Sequence, residues 1–185
     1  MKPQILIDIE TLGTQTGCVV LSIGAVQFDP ATNSVTREFY SRLDVSHQLQ
    51  SGLAVDADTQ RWWSCQTKEA QFAAFHETCG IQSLRFSLVL QRLANFIPQR
   101  SEVYGNSPSF DCDILSHLYQ VAGIPLPWSP FDERCFRTLK NLFPIPTADI
   151  PPFEGIKHHA LHDARHEARH LMTILSSSWQ TQFLN

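Results

Sequence analysis

Apolar and polar positions follow two different periods along this chain. Gln4 to Ile9 is a β-branched run that ends at the polar segment Asp8-Ile9-Glu10-Thr11, and Gly13 and Gly17 then mark a loop. Val19 to Phe28 is a second apolar run, closed by Asp29-Pro30. Thr32-Asn33 makes a turn into Ser34 to Leu43, where Val35, Phe39 and Leu43 mix with polar residues as in a third strand. Strands joined by a few turn residues pair antiparallel. The period then lengthens. Asp58 or Thr59 can cap a helix through Trp62 and Trp63, Lys68 to His76 continues in helical style, and Ser83 to Phe96 carries Leu84, Leu88, Leu93 and Phe96 before Pro98 stops it. Ser101 to Tyr104 is a short strand ending at Gly105-Asn106. Ser109 can cap a helix that carries Ile114, Leu115, Leu118 and Val121 and closes at Gly123.

Phe131 to Leu142 predicts a short helix, and the proline-rich stretch from Pro144 to Pro152 a surface loop. The last helix starts near His162; Ala164, Ala168, Leu171, Met172 and Leu175 fall at i, i+4, i+7, i+8 and i+11, one face of a helix. An antiparallel β start, helices, another strand and more helices predict an α/β fold with a mixed sheet in which the first three strands are antiparallel. Too little chain follows the proline-rich loop for a second domain, so residues 1–185 read as one domain.

Composition narrows the function. Hydrophobic residues make up 43% and charged residues 17% of the 185, a globular balance. Fourteen Lys and Arg against eighteen Asp and Glu leave a formal charge of −4, which argues against gripping nucleic acid by bulk positive charge. An enzyme that handles phosphates through bound cations remains open. The apolar runs are shorter than the roughly 20 residues of a membrane span. An acidic residue at position 8 comes too early for a signal peptide. The five cysteines, Cys18, Cys65, Cys79, Cys112 and Cys135, are widely spaced without a C-x-x-C pair. Reduced thiols, a cytoplasmic location and no membrane partner are therefore expected.

The chemistry concentrates in four acids and a histidine. Asp8 and Glu10 are two apart at a strand end and so share a face. Two acids beside an apolar core raise each other's pKa values, and a hard cation such as Mg²⁺ or Mn²⁺ relieves that repulsion. A solvated strand end is the plainer alternative. Asp111 falls in the first turn of a helix, where a carboxylate also suits the helix dipole; Asp113 faces about 200 degrees away from it. His158 and Asp163, five apart across a helix entry, can face one point, and His is the usual general base near neutral pH.

Asp8-Ile9-Glu10-Thr11, Phe110-Asp111 and the H-x-A-L-x-D-A pattern from His158 to Ala164 resemble the three motifs of the DEDDh 3′–5′ exonucleases. That superfamily includes polymerase proofreading subunits, ribonuclease T and oligoribonuclease. The stretch DIETLGT…LSIGAVQFD and the later Trp62-Trp63 look closest to small bacterial and phage exonucleases of the exodeoxyribonuclease VIII and mycobacterial exoribonuclease types. The resemblance runs from residue 5 to about residue 172. It implies a ribonuclease H-like mixed sheet flanked by helices, and a metal-dependent hydrolase that releases nucleoside 5′-monophosphates from the 3′ end of single-stranded or 3′-overhanging DNA or RNA. By position, Asp8, Glu10, Asp111 and Asp163 would hold two divalent cations, Mg²⁺ or Mn²⁺, and His158 would deprotonate the attacking water. Thr11 and Leu12 would contact the terminal nucleotide. Relatives of this kind often pair as dimers, and the aromatic content allows a homodimer.

Other residues stay open. Trp62 is a candidate base-stacking residue, although adjacent helical residues diverge by about 100 degrees, so only one of Trp62 and Trp63 faces a substrate. His162, His166 and His170 recur every four residues with Arg165 and Arg169 beside them, as on a solvated helix face. Two rival readings remain: a zinc hydrolase built on His158, His159, His162 and His166, and a silent nucleic-acid-binding module on the same fold.

Overall fold

A computed structural model describes residues 2–76 and 83–176. Three long strands open the chain: β1 (Gln4–Thr11), β2 (Val20–Asp29) and β3 (Ser34–Arg42). They pair antiparallel, and β1 then pairs parallel with β4 (Glu102–Gly105), which pairs parallel with β5 (Glu133–Cys135). The sheet order is β3-β2-β1-β4-β5, so the first strand is the central one. This is the expected mixed sheet.

The helices are α1 (Val45–Gln50), α2 (Ala57–Ser64), α3 (Lys68–Phe75), α4 (Phe86–Phe96), α5 (Asp111–Ala122), α6 (Phe136–Leu142) and α7 (Ala160–Leu175). They cover both faces of the sheet. Ile5, Ile7 and Ile9 of β1 pack in one apolar cluster with Val89, Leu90 and Leu93 of α4 and Leu115 and Leu118 of α5. Leu6, on the opposite face, packs with Ala164, Ala168 and Leu171 of α7. Burial on both faces explains why β1 reads as a continuous apolar run and not as an alternating one. It also puts Asp8 and Glu10, which share the face of Leu6, under α7.

Several local expectations are corrected. Asp56, not Asp58 or Thr59, caps α2: its side chain accepts from the backbone N–H of Asp58. Ser109 does not cap α5, which starts after Phe110 with no side-chain cap. The stretch from Phe131 to Leu142 is not one helix but a 3₁₀ turn at Pro130–Asp132, strand β5 and helix α6. Leu43 lies just beyond β3, and α1 has no counterpart in the periodicity of the sequence. The final helix starts two residues before His162. Cys18, Cys65, Cys112 and Cys135 are free thiols, and Cys79 lies outside the described residues. No helix among the described residues is long and apolar enough to cross a membrane.

Candidate active site

The acids converge at the end of β1. The parallel pairing of β1 with β4 reaches only Leu6 opposite Tyr104, so beyond it β1 borders the segment that leaves β4. That segment folds back at Ser107 to Phe110 and delivers Asp111 to the first turn of α5. Asp111 is only 2% exposed. Its carboxylate accepts from the backbone N–H of Ser107 at 3.3 Å and from those of Ile9 and Asn106, which ties the start of α5 to β1. Gly105 makes the approach feasible, because a Cβ there would lie 2.7 Å from Asp111 Oδ2.

The second half of the site rests on another close approach. Gly24 of β2 stands opposite Asp8 in the antiparallel ladder. A Cβ on it would lie 2.2 Å from the carbonyl carbon of Ala160 and 2.3 Å from the amide nitrogen of Leu161. The first turn of α7 therefore sits directly on the sheet, with Asp163 over β1. Backbone N–H groups of His158 and His159 donate to the Asp163 carboxylate. His158 itself adopts a left-handed backbone with φ 62°. A non-glycine residue in that region costs free energy and persists only where its surroundings over-determine it. Ligand atoms of Glu10, His158 and Asp163 all lie within 4.8 Å of one another.

The electrostatics are those of crowded acids. Burial holds Asp8 well above the usual carboxylate range, and the charges of Glu10, Asp111, Glu167 and Asp163 add to the shift. Burial also raises Glu10 well above that range, with Asp163 and Asp111 contributing. Asp111 is pushed up to about 7 by burial, against the pull of its backbone N–H donors. Asp163 is raised by burial, while the N–H groups and charge of His158 oppose the shift. Burial is the largest cause at each of the four acids, and at Asp8 and Glu10 the neighbouring carboxylates add to it, so a cation placed among them would oppose the shift. Carboxylate oxygens are hard donors suited to Mg²⁺ or Mn²⁺, so the donor set fits a divalent cation, and the ligand atoms that meet closely enough to share one are those of Glu10, His158 and Asp163.

Two clefts flank the acids and share Phe110. One, of about 560 Å³, is lined by Glu10, Thr11, Asp58, Thr59, Trp62 and Phe110. The other, of about 280 Å³, is lined by Asp8, Asn106, Ser107, Phe110, Asp111 and Arg137. The tryptophans separate cleanly. Trp63 is 2% exposed and donates its indole N–H to the Thr11 carbonyl at 2.9 Å. Trp62 is 43% exposed and meets the His158 ring edge-on at 4.9 Å. Thr11 borders the larger cleft, whereas Leu12 is a core residue beside Trp63 and Phe75.

The histidine row is not a solvated face. His170 is 6% exposed and packs edge-on against Phe136. His166 lies against Phe153. His159 stacks between Tyr40 and His162, and burial lowers it to about 4. The Nδ1 of His162 accepts from the Ile156 N–H. These rings are held by packing, and His162 also by its hydrogen bond, while the Nδ1 atoms of His159 and His166 are buried without a partner. Among the described residues, the row does not form a three-ligand metal cluster, contrary to the zinc alternative.

One acid escaped the motif reading. Glu167, one helical turn beyond Asp163 on α7, is 9% exposed and accepts from Asn106 Nδ2 at 2.7 Å. Its i, i+4 spacing from Asp163 is the signal that places both on one helix face.

Comparisons with known proteins bear on the fold and the family. The chain is 11% identical to the nuclease domain of 3′hExo, a DEDDh family member bound to rAMP, with a TM-score of 0.60 over 94% of this chain and 92% of that one. Exonuclease I gives a TM-score of 0.65 at 12% identity, over all of this chain and 44% of the other. A structure of Escherichia coli exonuclease I with a 5cy-dT13 oligonucleotide gives 0.61 at 16% identity, over 98% of this chain and 42% of that one. These likenesses establish a shared fold. The flavoprotein component of NADPH sulfite reductase from Saccharomyces cerevisiae is 24% identical over 134 residues, which span 67% of this chain and only 13% of that protein. A family model described as the 3′–5′ exoribonuclease Rv2179c-like domain matches residues 3–175. With nearly its whole length covered by that model, the chain belongs to the Rv2179c-like family of 3′–5′ exoribonuclease domains.

Proposed function

We propose that residues 1–185 form one exonuclease domain that hydrolyses the terminal phosphodiester at the 3′ end of a single strand and releases nucleoside 5′-monophosphates. The observation that carries this reading is the meeting of Glu10, His158 and Asp163 within 4.8 Å, beside Asp8 and the buried Asp111. Asp8, Glu10, Asp111 and Asp163 hold two divalent cations, Mg²⁺ or Mn²⁺. When bound, such a pair stabilises the attacking and leaving oxygens of an in-line displacement and offsets the repulsion between these acids and a phosphate.

The chain's own groups supply the rest. His158 Nδ1 or Nε2 accepts a proton from the attacking water. Its strained backbone and the edge-on Trp62 ring hold the imidazole beside Trp62, which itself lines the larger cleft. Thr11 and Trp62 border the space for the terminal nucleotide, where the exposed indole offers a stacking face. Phe110 stands between this space and the Arg137 cleft, so the upstream strand passes across it. The formal charge of −4 leaves binding dependent on cations, since bulk charge opposes it.

The family description names RNA, and solved neighbours carry rAMP in one case and a DNA oligonucleotide in another. The substrate class is thus a nucleic acid strand with a free 3′ end. Matched RNA and DNA oligonucleotides labelled at the 5′ end test it. The expected result is a one-nucleotide ladder with Mg²⁺ or Mn²⁺ and none in EDTA. A ladder undiminished in EDTA, or products cut internally, overturns the reading.

A further inference from the structure

We infer that Glu167 is a fifth acid of the cation site, acting as a positioning residue whose free Oε2 accepts a hydrogen bond from water bound to a divalent cation. The inference rests on the proposed function, because it needs a cation at Asp8, Asp111 and Asp163. Three observations carry it. Glu167 is 9% exposed, and its Oε2 is buried without a hydrogen-bond partner. A buried carboxylate oxygen with no donor is costly, so such an orphan points to a ligand or water that completes it. Its other oxygen is already engaged: Asn106 Nδ2 donates to Oε1 at 2.7 Å, and Asn106 Oδ1 in turn accepts from Arg137 Nε at 3.4 Å. The side chain is thereby held against the acids. Its charge is felt by Asp8, and the charges of Asp111 and Asp163 act on it in return.

Contact through water, and not direct ligation, follows from the Asn106 hydrogen bond, which holds Oε1 and leaves Oε2 as the one free acceptor; Glu167 lies outside the group formed by Glu10, His158 and Asp163, as Asp8 and Asp111 do. Mg²⁺ keeps several of its waters when carboxylates bind it, and a water bridges the remaining gap. Acceptors that orient a bound ion's surroundings in this way typically change metal affinity by about 10–100-fold when lost.

The test is Mn²⁺ binding to the EDTA-stripped full chain without nucleic acid, followed by calorimetry at pH 7.5 and by melting temperature. E167Q keeps the acceptor for Asn106 and removes the charge. The expected result is an apparent Kd for Mn²⁺ about tenfold weaker than wild type, with the stripped variant melting higher because repulsion is relieved. A Kd within twofold of wild type overturns the inference, since a merely structural Glu167 would leave Mn²⁺ binding unmoved. D163N separates the two levels. Wild-type binding that D163N abolishes upholds the site, whatever E167Q does, whereas a wild-type chain that binds no Mn²⁺ defeats the proposed function itself. If E167Q loses its circular-dichroism signature, N106A takes its place: it frees the Glu167 carboxylate and should weaken Mn²⁺ several-fold, and unchanged affinity overturns the inference.

Discussion

Replacing Gly24 by Ala tests whether the contact between β2 and α7 sets the site geometry. The new methyl would lie 2.2 Å from the Ala160 carbonyl carbon, 2.3 Å from its oxygen and 2.3 Å from the Leu161 nitrogen. All three are backbone atoms, so no rotamer change can relieve the clash. Ordinary carbon contacts begin near 3.5 Å, and the start of α7 must therefore retreat by about 1 Å. Overpacking of this kind costs about 1–3 kcal/mol, which for a chain of this size lowers Tm by about 2–12 °C. The retreat carries Asp163 and His158 away from Glu10, and a displacement near 1 Å costs about 100-fold in rate. The assay pairs melting temperature with shortening of a 5′-labelled oligonucleotide in Mn²⁺. Gly52→Ala is the control. Gly52 has φ +87°, and a Cβ there would meet nothing within 4 Å, so Ala strains the backbone but touches nothing in the site. It should lose about 1 kcal/mol or more of stability and keep full activity. If Gly24→Ala retains activity within about threefold, or if Gly52→Ala loses activity in proportion to its stability, the close approach does not govern the site.

Other consequences follow from the same geometry. In EDTA, the folded protein holds Asp111 up to about 7 and Glu167 up to about 8, so it binds more protons than the unfolded chain above the ordinary carboxylate range near pH 4. Burial holds His159, His162, His166 and His170 below the usual histidine range, which adds stability as pH rises toward about 6.5, so the net fall should appear from about pH 7 to about pH 8; calorimetric melting in EDTA checks this, and a Tm that rises over that interval would contradict it. Saturating Mn²⁺ should flatten or reverse that slope, read in the same scans. Trp63→Ala should destabilise by about 3–5 kcal/mol in urea unfolding, because it empties the core and leaves the Thr11 carbonyl without its donor. Trp62→Ala should leave Tm nearly unchanged and raise KM for an oligonucleotide by about 10–100-fold, the worth of one stacked base; an unchanged KM would remove Trp62 from the substrate site.

The antiparallel start and the acids at the end of β1 were legible because a strand buried on both faces leaves a long apolar run, and Asp8 and Glu10 interrupt it at one spacing. His158 and Asp163 were legible from their motif, although the sequence carries no sign of the left-handed turn at His158. Strand β5 was not legible. Its three residues, Glu133-Arg134-Cys135, have no apolar pattern of their own and become a strand only by pairing with Val103 to Gly105. The histidines of α7 misled for a related reason. A helix pressed between the sheet and α6 buries more of its circumference than one amphipathic stripe, so His170 and Glu167 are inside although Arg165 and Arg169 of the same helix reach solvent. Asp56 displaced Asp58 as the cap of α2 because capping depends on where the chain turns, a boundary that periodicity locates only to within a few residues.

The most direct test of the acidic pocket is anomalous diffraction from crystals of the chain grown with Mn²⁺ and a nucleoside 5′-monophosphate. Two manganese peaks are predicted about 3.5–4 Å apart, bonded to oxygens of Asp8, Glu10, Asp111 and Asp163, with the His158 ring facing them. Peaks bound instead along His162, His166 and His170, or no peak beside Asp8, would contradict the account.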